Sequence, residues 1–325
     1  MWCINLLYST CKIIQWGKVQ LSLFSCDGFF FRGNLHSHST RSDGQLNPKQ
    51  VCDEYKKNGY DFICLSDHFL GIYDYPITDT SEFRDTEFTT LLGAEVHSGK
   101  MENGDLWHIL AVGLPLTFTP PNAPNFKPSD GMESAGNLAQ RCRDAGAFVS
   151  IAHPQWSGLT LNDARSIASA HAVEAYNHGS AIGADRGDGF SILDLLLADG
   201  KKLNLIATDD SHFTESDHFG GWVMVKATKN EPDALLESLK AGTFYSTQGP
   251  DFHNIELLDN ELRVKCSPCS TMILSGRGSA ARALHGQSMT SGIMKLDRFY
   301  KHKWLRVTII DAAGNKAWSN PIWRP

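Results

Sequence analysis

Imidazoles and carboxylates recur along this chain at positions from which they could hold metal ions. The pairs and singles are His36 and His38, Asp43, Asp67-His68, Glu95 with His97, His108, His153, Asn177-His178, and Asp209, Asp210 and His212. These residue types are ligands for Zn, Mn or Fe. Residues i and i+2 of an extended strand point to the same side, so His36-x-His38 and Asp210-x-His212 can each direct two ligands inward. Asp43 is followed by Gly44, which lets the first loop turn tightly around its carboxylate.

The elements that must carry these residues are short apolar runs alternating with helical patterns. Strands are expected at Phe29–Leu35, Phe62–Leu65, Thr90–Val96, Trp107–Val112, Phe148–Ile151, Val173–Tyr176 and Leu203–Ala207. Helices are expected from the Asn47-Pro48 cap to Asn58, from Ser134 to Ala145, after Thr160 and around Ile192–Ala198. That alternation predicts parallel βα units with helices outside. The candidate ligands then close one strand after another, apart from His108, which lies inside its strand. In a βα barrel the carboxyl ends of the strands meet at one face, so residues remote in sequence converge there. A single strand-end histidine is ordinarily a hydrogen-bonded structural residue; six or seven strand ends each carrying a ligand type argue jointly for a metal site.

After Gly249-Pro250 the texture changes. Ile255–Leu258, Glu261–Val264, Met272–Leu274 and Leu305–Ile310 read as short strands without helices between them, which places a boundary near residue 250. The organisation expected is an N-terminal segment, 1–28, forming an added strand, a main domain over 29–250 and a small all-β module over 251–325. The module's Trp304, Trp318 and Trp323 are expected to pack against the main domain.

Composition narrows the function. Hydrophobic residues make up 42% and charged residues 20% of 325, an ordinary globular balance. The net charge of −6, without a basic stripe, argues against a long nucleic-acid partner. No apolar run reaches the length of a membrane span, so no membrane partner is expected. The start, MWCINLLYSTCKIIQW, lacks the basic n-region and cleavage site of a secretory signal, which points to the cytoplasm. The 8 cysteines are scattered, and the lone CxxC, Cys266 and Cys269, reads as a loop feature and not as a zinc clip.

The motifs His36-Ser-His38-Ser-Thr-Arg-Ser-Asp43-Gly44, Leu65-Ser-Asp67-His68, Gly93-Ala-Glu95, His108-Ile-Leu, Ala152-His153-Pro154 and Asp210-Ser-His212 resemble, in order, those of the PHP (polymerase and histidinol phosphatase) metal-dependent phosphoesterases. The resemblance spans about residues 33 to 250. Two further blocks, Gly242–Pro250 and Asp311–Ile322, resemble the carbaryl-hydrolase-like branch, in which a small β module follows the PHP domain. The resemblance implies a distorted (β/α)7, TIM-like barrel with two or three divalent metals. It implies one metal on His36, His38, Glu95 and Asp210, and a second on Asp43, His68 and a bridging Glu95. A third would sit on His108, His153 and His212, with His97 as an alternative to His108.

Two metals sharing a carboxylate can hold a water between them and lower its pKa. The reaction expected is hydrolysis of a phosphate ester, a phosphomonoester or nucleotide-type substrate, with Glu95 and Asp210 as catalytic residues and Asp210 relaying a proton. Arg41, His178 and Arg186 are the candidate substrate-binding residues, the arginines as forked donors to phosphate. A 5′–3′ exonuclease acting on oligonucleotide ends and an amide or carbamate hydrolase with the same metals are the alternatives. A non-catalytic binding module would want an incomplete ligand set, and here the set is complete.

Overall fold

A computed structural model describes residues 12–15 and 18–324 of the chain. β1 (Lys12–Gln15) and β2 (Lys18–Ser22) form an antiparallel pair ahead of β3 (Phe29–Asn34). Residues 1–11, with Cys3 and Cys11, and residues 16–17 lie outside the described residues. α1 (Pro48–Lys57) starts at a reciprocal cap: Asn47 Oδ1 accepts from Gln50 N at 2.9 Å, and Gln50 Oε1 accepts from Asn47 N at 3.0 Å. Pro48 takes a first-turn position, where no intrahelical partner exists for an N–H. β4 (Phe62–Leu65), β5 (His68–Phe69), β6 (Thr89–Val96) and β7 (Ile109–Val112) follow.

α2 (Ala135–Asp144), capped by Ser134, precedes β8 (Phe148–Ile151), and α3 (Leu161–Ser166), capped by Thr160, precedes β9 (Ala172–Asn177). Next come α4 (His178–Ala184), α5 (Phe190–Ala198), β10 (Asn204–Thr208), β11 (Trp222–Ala227), α6 (Pro232–Ala241) and β12 (Phe244–Thr247). The C-terminal part holds β13 (Phe252–Leu258), β14 (Glu261–Ser275), β15 (Ala281–Lys295), β16 (Trp304–Ile310), β17 (Lys316–Ser319) and β18 (Ile322–Trp323).

These elements make a mixed α/β architecture around one large sheet. β3, β4 and β6 run parallel, as do β8, β9 and β10. β7 lies between β6 and β8 and is antiparallel to both. The expected regular (β/α)7 barrel is therefore not what the ladder forms. The connection from β6 to β7 has no helix to carry a parallel crossover, so the chain doubles back. Nor is the sheet closed. No ladder joins β10 to β3 among the described residues; β11 flanks β3 in antiparallel register instead. The segments just beyond β3 and β10 do meet, through an isolated parallel bridge between Ser37 and Ser211.

The C-terminal strands continue this sheet: β12 pairs with β17, and β13 pairs with β2 of the N-terminal hairpin. Glu261–Val264 and Met272–Leu274 turn out to be two parts of the single strand β14, whose register slips between Lys265 and Thr271. Pro268 sits in that slip, where a missing N–H breaks no ladder bond. Cys266 and Cys269 flank it, so the CxxC belongs to a bulged strand and not to a loop; the two thiol sulfurs are 3.8 Å apart. β15 went unforeseen because its side chains are mostly exposed, with no apolar run to mark them. Trp304 and Trp318 are buried in the same apolar cluster as strands β6 to β10, with Trp323 packed beside it. No helix among the described residues is long and apolar enough to cross a membrane.

Candidate metal centre

Two segments beyond strand ends lie side by side and bring four candidate ligands together. His38 N donates to Ser211 O at 2.8 Å and Asp210 N donates to His36 O at 2.9 Å. His36 and His38 then face the same way, as their i, i+2 spacing requires. Their Nε2 atoms lie 3.1 and 3.0 Å from Asp210 Oδ1 and each 3.6 Å from Glu95 Oε2. Asp210 and His212 part company, because Asp210 has φ 56° and breaks the strand alternation. That left-handed conformation puts Asp210 on one side of His38 and His212 on the other, its ring stacked on His38 at 4.3 Å. Backbone strain of this kind is retained where surrounding contacts enforce it, commonly at functional sites.

Glu95 enters from β6, in register with His68 on β5. Its two oxygens face different groups. Oε1 lies 2.8 Å from His108 Nδ1 and 3.0 Å from His153 Nε2; Oε2 lies 2.7 Å from His68 Nδ1. Asp43 closes the mouth, with its oxygens 3.4 Å from His68 Nε2 and 3.5 Å from His212 Nε2. Gly44 permits this loop by close approach: a Cβ there would sit 2.6 Å from the His38 carbonyl. Four sets offer donor atoms within 4.8 Å of one another: His36, His38 and Asp210; His38, Asp43, His68 and His212; His68, Glu95, His97 and His108; His36, Glu95 and His153.

The residues present fit divalent metals on a further observation. His36 Nε2 and Glu95 Oε2 are buried polar atoms 3.6 Å apart, and neither has a well-aligned hydrogen bond despite the close approach of Asp210 and His68. Such atoms are costly unless something completes them. The charges are arranged to suit a cation. Burial alone would raise the carboxyls of Glu95 and Asp210. The surrounding histidines outweigh it, His68, His108 and His36 around Glu95 and His36 and His38 around Asp210, and hold both well below the usual carboxylate range. Burial, reinforced by His212 and His68, pushes His38 down to about 3, so it is neutral and able to ligate. His68 goes the other way: burial opposes its charge, but Glu95 and Asp43 raise it to about 10.

The structure thus gathers His36, His38, Asp43, His68, Glu95, His108, His153, Asp210 and His212 around one centre. The grouping differs from the expected third set, whose members part: His212 sits with Asp43 and His38, His108 with His68 and Glu95, and His153 with His36 and Glu95. His97 and His108 both reach the group of His68 and Glu95; His97 Nδ1 donates to Trp107 O at 3.1 Å, and its Nε2 lies 3.0 Å from His68 Nδ1. A cavity of about 720 Å³ opens over the centre, and Arg186 lines it. Arg41 is exposed and is not among the lining residues. Neither is His178, which packs on Gly220 with its Nδ1 2.9 Å from the Tyr176 hydroxyl.

Sequence reasoning missed Glu174. It is fully buried on β9 and accepts from His36 Nδ1 at 2.9 Å, His153 N at 2.6 Å, Asn177 Nδ2 at 2.9 Å and the Thr208 hydroxyl. The available signal was a carboxylate inside the apolar strand Val173-Glu174-Ala175. Asp67 and Asp209 close strands as expected, but both serve the scaffold. Asp209 accepts from the Tyr55 hydroxyl at 2.7 Å and from the amides of Phe219, Gly220 and Gly221.

No family model matches this sequence, and no curated protein does. Solved structures do. A two-domain protein of Bacteroides vulgatus containing a predicted PHP-like metal-dependent phosphoesterase is similar over 87% of this chain and 91% of its own, at 15% identity and a TM-score of 0.52. A candidate metal-dependent phosphoesterase of Bifidobacterium adolescentis covers 55% of this chain and 87% of its own, at 15% identity and a TM-score of 0.41. An amidohydrolase of Chromobacterium violaceum covers 57% and 89%, at 16% identity and a TM-score of 0.41. Over nearly its whole described length, the chain shares the fold of the PHP-like two-domain protein.

Proposed function

We propose that this protein is a metal-dependent hydrolase of phosphate esters, acting on small phosphomonoesters. The observation that carries the reading is the two-sided Glu95 carboxylate, set among imidazoles at the floor of an open cavity, with His36 Nε2 and Glu95 Oε2, both buried and without a well-aligned hydrogen bond, facing each other. His36, His38, Asp43, His68, Glu95, His108, His153, Asp210 and His212 would hold two or three divalent ions. When bound, these supply Lewis acidity, which acidifies water and neutralises phosphate oxygens. Arg186 lines the same cavity and is placed to draw in the phosphate as a forked donor. Asp210 also lines it, with Oδ2 held by Asn177 Nδ2 at 3.0 Å and Oδ1 toward the cluster, where it takes the proton from the attacking water.

The deciding experiment is inorganic phosphate release from a panel of phosphomonoesters, nucleotide bisphosphates and short oligonucleotides with Mn2+ or Zn2+ added. The Asp210→Asn variant serves as the control. Release that requires both metal and Asp210 supports the reading, and the best substrate separates a phosphatase from an exonuclease. Silence from protein with measured metal content, together with cleavage of an aryl carbamate, would move the assignment to carbonyl hydrolysis and to the carbaryl-hydrolase-like resemblance.

A further inference from the structure

The cavity over the metal centre has two unlike walls. Beside Asp210 and His212, α4 and the turn after it contribute Gly179, Gly183, Ala184 and Arg186, small groups and one cation. Beside His108 and His153 the wall is apolar and aromatic: Met101, Leu106, Phe126 and Trp156. Met101 and Leu106 are buried, but Phe126 and Trp156 keep 40% and 44% of their surface exposed. An exposed ring is unremarkable on a convex surface; two inside a concave site are the usual lining of a ligand pocket.

Both rings pack against imidazoles of the centre. The Trp156 ring lies 4.9 Å from His153 and 5.6 Å from His108. Its backbone is fixed in a tight turn, where Ser157 N donates to His153 O and Leu159 N donates to Pro154 O, each at 3.0 Å. Phe126 comes from the proline-rich loop and packs edge-on against His68 at 4.9 Å and Tyr73 at 6.0 Å. Trp156 therefore flanks the imidazoles that meet Glu95 Oε1, and Phe126 flanks His68, the imidazole that meets Oε2. Asp105 and Glu215 also line the cavity, so a second anionic group on the ligand would meet carboxylates.

We infer that Phe126 and Trp156 are specificity-determining residues that seat a flat aromatic ring in the alcohol part of the substrate. The substrate class is then the phosphate monoester of an aromatic alcohol carrying no second negative charge. The inference rests on the phosphoesterase reading above and narrows it. In the reaction, water oxygen bonds to phosphorus as Asp210 takes one of its protons, the P–O bond to the alcohol breaks, and the departing alkoxide receives that proton, giving hydrogen phosphate and the free alcohol. Ring-on-ring contact adds to simple area burial, which is why a planar group should be preferred over a saturated one of the same size.

The test compares benzyl, cyclohexylmethyl and glycerol 1-phosphates, all esters of primary alcohols, on metal-loaded protein. We expect kcat/KM for benzyl phosphate to exceed that for glycerol phosphate by about tenfold or more. Cyclohexylmethyl phosphate should fall between them. Trp156→Ala and Phe126→Ala should each lose most of that ratio at unchanged metal content, and Trp156→Phe should keep it. A wild-type ratio near one, or a ratio untouched by Trp156→Ala, overturns the inference. Calorimetric binding of benzylphosphonate against methylphosphonate separates the two readings. Benzyl preference in binding, with no phosphate released from any ester, sinks the phosphoesterase reading and leaves the aromatic wall standing. Phosphate release without any ring preference does the reverse.

Discussion

The Glu174 carboxylate accepts a hydrogen bond from His36 Nδ1 at 2.9 Å, and both side chains are fully buried. Nδ1 therefore keeps its hydrogen, so the neutral ring presents Nε2 as the ligating atom, aimed at Asp210 and Glu95. A carboxylate behind a ligating imidazole fixes both its tautomer and its orientation. Glu174 takes four donors at once, two on each oxygen. An amide cannot replace it, because its NH2 would face donors. Glu174→Gln should lower zinc affinity by about 10- to 100-fold while the protein stays folded. Competition with a chromophoric chelator would measure this, and wild-type affinity in the variant would rule out the positioning role.

A proton and a bound metal would compete at this centre, and the direction can be worked out from His68. Its pKa is raised from the ordinary 6.5 to about 10, chiefly because Glu95 and Asp43 outweigh its burial. A raised imidazole stabilises the metal-free fold fully below pH 6.5, and that contribution is lost as pH climbs through about 10. His36, also raised by its carboxylate neighbours, acts in the same sense. Chelator-treated protein should thus melt at progressively lower temperature between pH 6.5 and 10. Apparent zinc affinity should rise over the same range, because binding displaces the proton. Melting curves in matched buffers, with and without zinc, check both; a metal-free melting temperature that rises with pH contradicts the assignment.

Asp67 organises the loop that presents Asp43. Its carboxylate accepts from Ser39 N at 2.7 Å, from the Ser39 and Ser42 hydroxyls at 2.9 Å, and from Thr78 Oγ1 at 3.2 Å. Asp67→Ala would strand a buried amide and several hydroxyls, at a cost of about 1–3 kcal/mol. It should also loosen Asp43, so turnover should drop by more than the stability loss explains. Chemical denaturation alongside metal-dependent phosphate release would show the two effects; intact turnover in a destabilised variant would confine Asp67 to the scaffold.

The clustering of these histidines and carboxylates was readable in the sequence because each member closes or borders a short apolar strand, where period and type can be seen together. Partnership was not. The placement of His212 beside Asp43 depends on the left-handed Asp210, and a single residue's φ leaves no periodic trace. Glu174 escaped because a strand-interior carboxylate looks like an isolated exception until its four donors are in place. The sheet misled for a related reason: β7 reads like any apolar strand, and its reversed direction follows from the connection before it. β15 escaped because an exposed strand needs no apolar alternation.

The C-terminal strands should prove necessary to the fold that carries the metal centre. Trp318 is only 4% exposed, and its ring lies 5.4 Å from Phe190 on α5 and 5.9 Å from Tyr176 on β9. Tyr176 lies two residues from Glu174 and next to Asn177, the partner of Asp210 Oδ2. Emptying the tryptophan's place should therefore loosen the strand that aligns His36 and Asp210. Trp318→Ala should cost about 3–5 kcal/mol, from lost burial and the cavity left behind. Trp318→Phe should recover much of it. Urea unfolding of the three proteins gives the stability order, and zinc content after dialysis gives the effect on the centre. A Trp318→Ala protein of wild-type stability, or removal of residues 251–325 leaving a soluble, folded protein with full metal content, would show that the C-terminal strands do not support the site.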